Sequence, residues 1–352
     1  RGVALTAAGL AFLPRAQALL EERKRKLAAE GLFDADRQDK AILAGLLRPN
    51  PAEAKPRGEI FEPGDGYWFY RPTLDFPPKG THDPDDYAGG ERLCVNFTHM
   101  NLGAAERRRL ARRWYDRFPT LDRVRIAWIG GSVSQETFEA VCRLPAVEGL
   151  HIGWSAITSL APIRQLRTLT HFHLGSGPSA QGLEALADLP ALVDLEISNV
   201  RAAGDLRFLA GMHGLKALAL CGDSNSIKPL KIATLAPLSG LASLERLSLT
   251  TVQLEDGSLE SLARLPRLRH LDLSNQFPME EVARLAGRRP DIACDRFVPS
   301  HGPVTWMVCK TCQRKSMHQL TGKRKPWLCG HCDAARLAKH DAEFKAIQES
   351  AA

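Results

Sequence analysis

Four of the eight cysteines form two close pairs near the C-terminal end, Cys309-Lys310-Thr311-Cys312 and Cys329-Gly330-His331-Cys332. The pattern is C-x2-C, sixteen residues, C-x2-C, which falls in the range of tetrahedral zinc sites. Each C-x-x-C turn is tight enough to set two thiolates on one ion, and two such turns complete a tetrahedron. Gly330 is expected to supply an unusual backbone angle at the second turn. Four protein thiolates leave no open coordination position, so the expected zinc is structural and not catalytic. So short a module has almost no core, and the metal would supply its folding energy, on the order of 10–16 kcal/mol. Redox thiols are the competing reading, although these rarely come as two matched pairs. His318 and His331 are spare ligands that four cysteines make unnecessary.

Residues 301–332 also hold Lys310, Arg314, Lys315, Lys323, Arg324 and Lys325, with no Asp or Glu. A zinc ion with four thiolates carries about −2, which leaves the module at roughly +4. Trp306 and Trp327 flank the two turns. Basic groups interleaved with aromatics suit phosphates and stacked bases. Equally, the cations only solvate a hairpin and the tryptophans cover the metal. Nucleic acid is thus a possible partner through these six cations.

A second constellation lies mid-chain: His151, His171 and His173, with Asp194, Glu196, Trp128 and Trp154. Placing it requires the elements that carry it. From about residue 92 to 295 the pattern L-x-x-L-x-L recurs. It reads Leu121–Val124–Ile126, Val147–Leu150–Ile152, Leu169–Phe172–Leu174 and Leu192–Leu195–Ile197. It continues as Leu215–Leu218–Leu220, Leu244–Leu247–Leu249 and Leu268–Leu271–Leu273, with steps of 26, 22, 23, 23, 29 and 24 residues. Degenerate units are read at Val95–Phe97 and Ile292–Cys294. The last two apolar positions alternate, so they share one face of a short strand. Between strands the apolar residues recur every third position, as in Leu183–Leu186–Leu189, Leu206–Leu209–Met212, Leu235–Leu238–Leu241 and Leu259–Leu262–Leu265. That spacing makes one side of a helix or 3-10 turn. A single unit cannot bury its own apolar face, whereas stacked units share a continuous core.

The expected fold is therefore α/β, a leucine-rich-repeat solenoid with a helical N-terminal extension and a small C-terminal zinc ribbon. Units such as Ile157-Thr158-Ser159-Leu160-Ala161-Pro162-Ile163 resemble bacterial internalin-like repeats, and the cysteine module resembles zinc ribbons. The Asn usual in such repeats stands one place early, at Asn199 and Asn275. A helix carrying Arg107, Arg108, Arg109, Arg112 and Arg113, with Leu110 and Trp114 on its apolar side, is expected to cap the N-terminal end of the stack.

Alternation sends the intervening residues to the opposite, concave face. One column is read as Arg125, His151, His173, Glu196, Ala219, Ser248, Asp272. The other is Arg123, Gly149, His171, Asp194, Ala217, Arg246, His270. Neighbouring strands lie about 4.8 Å apart, so the three histidines should gather beside Asp194 and Glu196. Trp128 and Trp154, at the eighth positions, should stack at one rim. Tryptophan and histidine on a solvent face have the composition of an interface hot spot, and the expected ligand is a protein partner. Solvated histidines over core tryptophans, or a His/carboxylate metal site, are the other readings.

The rest of the chain bounds this picture. With 352 residues, 44% hydrophobic and 25% charged, it is too apolar for global disorder and long enough for two or three domains. The net charge of +7 permits an anionic partner without requiring one. No apolar run approaches the roughly 18 residues of a membrane span, and no membrane role is expected. Cys94, Cys142, Cys221 and Cys294 stand singly, which with the paired four suggests a reduced, cytoplasmic protein. The expected divisions are a helical extension over 1–48, a Pro-rich extended segment over 49–90 with Tyr67-Trp68-Phe69-Tyr70, the solenoid over 91–297, the ribbon over 298–335 and a final helix over 336–352. Near the start, Arg1 to Ala16 resembles the wing and linker-helix start of LysR-type regulators. Lys26 to Asp34 is similar to a segment of the exonuclease VII large subunit. Each match covers under about a tenth of the chain, without recognition helix or catalytic region, and no activity is carried over. No phosphate loop, H-E-x-x-H or G-x-S-x-G motif occurs. The expectation is a non-enzymatic protein-interaction scaffold without a small-molecule substrate. Nucleic-acid binding through the ribbon comes second, and a LysR- or exonuclease VII-related role third.

Overall fold

The leucine pattern becomes a parallel sheet. A computed structural model describes residues 80–96, 102–223 and 228–352, which fall in one compact unit. The extension over 1–48, the LysR- and exonuclease-like stretches and Tyr67–Tyr70 lie outside the described residues. The strands are β1 (Arg92–Asn96), β2 (Ile126–Gly130), β3 (Val133–Ser134), β4 (Gly149–Ile152), β5 (Ser155–Ala156), β6 (His171–Leu174), β7 (Asp194–Ser198) and β8 (Ala217–Cys221). They continue with β9 (Leu230–Ile232), β10 (Arg246–Thr250), β11 (Val252–Leu254), β12 (His270–Leu273), β13 (Ser300–Val304), β14 (Met317–Leu320) and β15 (Trp327–Cys329). Eight of them form one sheet in the order β1-β2-β4-β6-β7-β8-β10-β12, all parallel. The short pairs β3–β5 and β9–β11 lie beside it.

Two inward columns hold the stack together. Leu93, Ala127, Leu150, Phe172, Leu195, Leu218, Leu247 and Leu271 face each other across successive strands. Val95, Ile129, Ile152, Leu174, Ile197, Leu220, Leu249 and Leu273 form the second column, and both columns are buried. The chain returns through 3-10 turns at Ala161–Gln165, Leu183–Asp188, Leu206–Leu209 and Ala236–Gly240. A 3-10 turn has three residues per turn, so leucines three apart fall on one stripe. Leu183 and Leu186 are accordingly buried.

The pairing corrects the frame of the first repeat. Ala127 pairs with Leu150 and Ile129 with Ile152, so this unit reads Val124–Ala127–Ile129 and not Leu121–Val124–Ile126. Both frames match the pattern, but the chosen one places Ala127 and Ile129 in the buried columns. The preceding degenerate unit likewise turns on Leu93 and Val95, which pair with Ala127 and Ile129, and not on Val95–Phe97. Phe97 lies outside the described residues. At the other end, Ile292 is buried and Ala293 makes a single parallel bridge to His270.

Helix α1 (Ala104–Arg117) follows β1. Its Trp114 is fully buried against Phe118, with ring centroids 5.5 Å apart, while Arg107, Arg108, Arg109 and Arg112 are exposed. Trp114 Nε1 donates to the carbonyl of His82 at 2.7 Å. Further along come α2 (Gln135–Val141), α3 (Glu260–Ala263) and α4 (Met279–Arg288). The ribbon strands β13, β14 and β15 form an antiparallel sheet, and α5 (Ala334–Ser350) closes the chain by packing on α4. Phe344 of α5 is fully buried, and His340 Nε2 lies 3.0 Å from the carbonyl of Pro299. Asn275 clamps the ribbon to the solenoid. Its Nδ2 donates to the carbonyl of Leu320 and its Oδ1 accepts from Gly322 N–H, each at 2.8 Å.

Candidate functional site

The outward columns follow from the corrected register. One runs Cys94, Trp128, His151, His173, Glu196, Ala219, Ser248, Asp272. The other runs Arg92, Ile126, Gly149, His171, Asp194, Ala217, Arg246, His270. The histidine cluster forms as the alternation implied. His151 and His173 stack with centroids 4.3 Å apart and ring planes within 10°. His173 Nδ1 is 2.8 Å from Glu196 Oε2, and His171 stands opposite Asp194. Thr170 Oγ1 lies 2.8 Å from His171 Nδ1.

Two expectations change. Trp128 does not stack with Trp154. The three-residue shift of the first repeat moves Trp128 into the histidine column beside His151, while Trp154 follows β4 and is 63% exposed. The cluster is also not a solvent face, because Trp128, His171, His173, Asp194 and Glu196 are between 1% and 7% exposed. Part of that shielding is mutual, through the ring stack and the His173–Glu196 contact. Farther along, His270 and Asp272 are exposed. Burial pushes the His173 imidazole down to about 3. Burial, then the neighbouring His173, holds His151 well below its usual range. Both rings are therefore neutral at pH 7.

The four cysteines converge. Their sulfur atoms all lie within 4.8 Å of one another, with Cys309–Cys332 at 3.9 Å and Cys312–Cys329 at 3.6 Å. A tetrahedron with metal–sulfur bonds of about 2.3 Å has edges of about 3.8 Å, so the set fits a four-coordinate ion. Cys332 N–H points at Cys329 Sγ at 3.4 Å and draws that thiol down to about 6. Cys309 is lowered chiefly by the N–H of Cys312. Cys332 is pushed up to about 12 by its sulfur neighbours, Cys312 first. Four thiolates this close repel one another, and a cation relieves that repulsion. Gly330 matters for a reason other than the expected one. It has no left-handed backbone angle, but a Cβ there would come within 3.0 Å of Ser316 Oγ and His318 Nε2. The left-handed residue of the first turn is Gln313, at φ 57°.

The six cations divide into two groups. Lys310, Arg314 and Lys315 surround the first cysteine turn, and Lys323, Arg324 and Lys325 occupy the β14–β15 connection; all but the half-buried Lys325 are exposed. Trp306, 69% exposed, meets Trp327 edge-on at 5.4 Å.

Sequence reasoning missed one site. A cleft of about 520 Å³ lies where β10 and β12 meet the segment after α4 and the first ribbon strand. Arg246, His270 and Asp272 of its lining already stood in the outward columns. Arg296 and His301 carried no pattern that could have found them.

No protein-family model matches the sequence, and no curated protein matches it. Solved structures do. Internalin C2 of Listeria monocytogenes is 20% identical over 44% of this chain and 64% of its own, with a TM-score of 0.31. A second internalin of that organism is 18% identical over 58% of this chain and 60% of its own, at 0.40. A leucine-rich-repeat protein of Leptospira interrogans is 17% identical over 50% of each chain, at 0.34. The chain thus spans less than two thirds of each of these proteins. The register, the 3-10 returns and the buried columns define the class: this is a leucine-rich-repeat solenoid carrying a compact four-cysteine ribbon.

Proposed function

We propose that the chain is a non-enzymatic protein-interaction scaffold. The observation that carries this is the contrast between the two sides of the sheet. Inward positions are almost uniformly aliphatic, while outward positions on the same strands run through Trp, His, Glu, Asp, Arg and Ser. Packing dictates the first set and leaves the second open to recognition. The proposed contact set on this concave face is Trp128, His151, Trp154, His171, His173, Asp194 and Glu196. Exposed Trp154 and half-buried His151 would meet the partner directly, while the buried members set shape and charge beneath them. We assign zinc to the four-cysteine centre, held by Cys309, Cys312, Cys329 and Cys332, in a structural role. The ribbon then serves as a second contact. No disulfide joins any of the eight cysteines, and a reducing cytoplasm is the setting we propose. Affinity capture with the full chain, after nuclease treatment, tests the reading. A protein partner should be retained by the wild type and lost at least tenfold by a Trp154→Ala/His151→Ala variant. Equal retention by both would overturn it.

Nucleic-acid binding through the ribbon is favoured by one observation: five of its six cations are exposed, on a stretch without acidic residues. A mobility-shift assay with the zinc-loaded full chain, run across salt concentrations, separates the two readings. Absence of a shift at low salt would eliminate the second.

A further inference from the structure

We infer that the cleft between the last solenoid strands and the ribbon binds a carboxylate with a nitrogen donor beside it, as at the carboxyl end of a peptide. This does not depend on the partner reading above, which concerns other residues. The cleft encloses about 520 Å³, within the size range of small-ligand sites. Arg246, Ser248, His270 and Asp272 come from β10 and β12, Asp295 and Arg296 from the segment after α4, and His301 from β13. It is thus built by two modules. Asn275 fixes them together, as does Arg296, whose Nη1 donates to Gln319 Oε1 at 3.0 Å.

Two buried nitrogens lining this cleft have no hydrogen-bond partner among the described residues: Arg246 Nε and His301 Nε2. Arginine cannot shed its charge, so its buried N–H calls for an acceptor oxygen, best an anionic one. The charges of Asp194 and Glu245 act on Arg246, while its Nε has no acceptor among the described residues. A carboxylate would satisfy it, and would also accept from His301 in the neutral tautomer that carries its proton on Nε2.

The other walls narrow the ligand further. Asp272 and Asp295 balance Arg246 and Arg296, so the cleft repels a bare anion more than a purely basic pocket would. Asp272 already accepts from Ser248 Oγ at 3.0 Å, which orients its carboxylate. A ligand of both characters fits: an oxygen pair for Arg246 and an N–H for an aspartate. The carboxyl end of a peptide presents both a few bonds apart, and a free amino acid presents the same chemistry.

Calorimetric titration of the zinc-loaded full chain tests this with four probes: N-acetyl-trialanine as the acid, its carboxamide, free alanine and inorganic phosphate. The acid should bind one to one and the carboxamide at least tenfold more weakly. Arg246→Gln should weaken the acid at least tenfold, and His301→Gln several-fold. Tighter binding of free alanine would support the proposal with an amino acid as the source. Acid and carboxamide of equal affinity, phosphate equal to the acid, or no binding by any probe would overturn it. So would full affinity in Arg246→Gln. Where Arg246→Gln loses zinc or fails to fold, His301→Gln and Asp272→Asn carry the same comparison.

Discussion

His173 links one side chain to the acid stability of the sheet. Its ring is buried against Glu196, and burial holds its folded pKa near 3, against the usual 6.5 of the unfolded chain. Between these values the unfolded chain binds a proton that the folded chain does not. The stabilising contribution is therefore present above about pH 6.5 and is lost as pH falls toward 3, at up to about 1.4 kcal/mol per pH unit. Urea unfolding at pH 7.5 and 5.0 should show a drop in the wild type and a smaller one in His173→Asn. An equal drop in both would show that other groups carry the acid sensitivity. The place of His173 beside His151 was legible from alternation alone. Its burial was not, because a period of two tells which side a residue takes and nothing about what that side meets. Trp128 was misplaced for a different reason. Both Leu121–Val124–Ile126 and Val124–Ala127–Ile129 satisfy the repeat, and only the pairing of Ala127 and Ile129 with β1 and β4 selects between them.

Among the elements, α4 and α5 form the joint that the leucine pattern did not announce. Gly287 of α4 faces the backbone of α5, and a Cβ there would lie 2.1 Å from the Gln348 carbonyl oxygen. Replacing a helical glycine with alanine normally gains up to about 1 kcal/mol from propensity. Here the obstacle is backbone and cannot swing aside, so overpacking should prevail and Gly287→Ala should destabilise by about 1–3 kcal/mol. Hydrogen exchange should show faster opening of α5 in this variant, with β4 to β8 unaffected. A stabilised variant would mean that α5 does not rest on α4 in solution. The final helix was readable from composition, but its docking depends on a contact between distant stretches. The same holds for Asn275, which reads as a displaced repeat asparagine yet bonds the ribbon across a sequence separation of 45. The cleft beside it was hidden for that reason.

For the whole molecule, the repeat architecture divides stability into neighbouring layers. With zinc in the four-cysteine centre as proposed, its chelation would remove the ribbon's main source of order and should release β13 to β15 and α5's anchor at Pro299. The layers from β2 to β10 should keep their protection from exchange, and far-UV circular dichroism should fall only modestly. Cooperative loss of the entire sheet on chelation would refute this division. The solenoid could be read from sequence because two aliphatic columns recur at nearly fixed steps. The ribbon could be read because its four cysteines keep the paired spacing that a tetrahedral ion would require.

Among the described residues, each end of the eight-stranded sheet is met by one bridging residue. Thr81 bridges to Val95 and donates its N–H to Cys94, while Ala293 bridges to His270 and accepts from Leu271 N–H. A stray strand from another molecule therefore finds an interrupted template at either end. Such interrupted margins work against edge-to-edge growth of the long parallel ladder into fibrils.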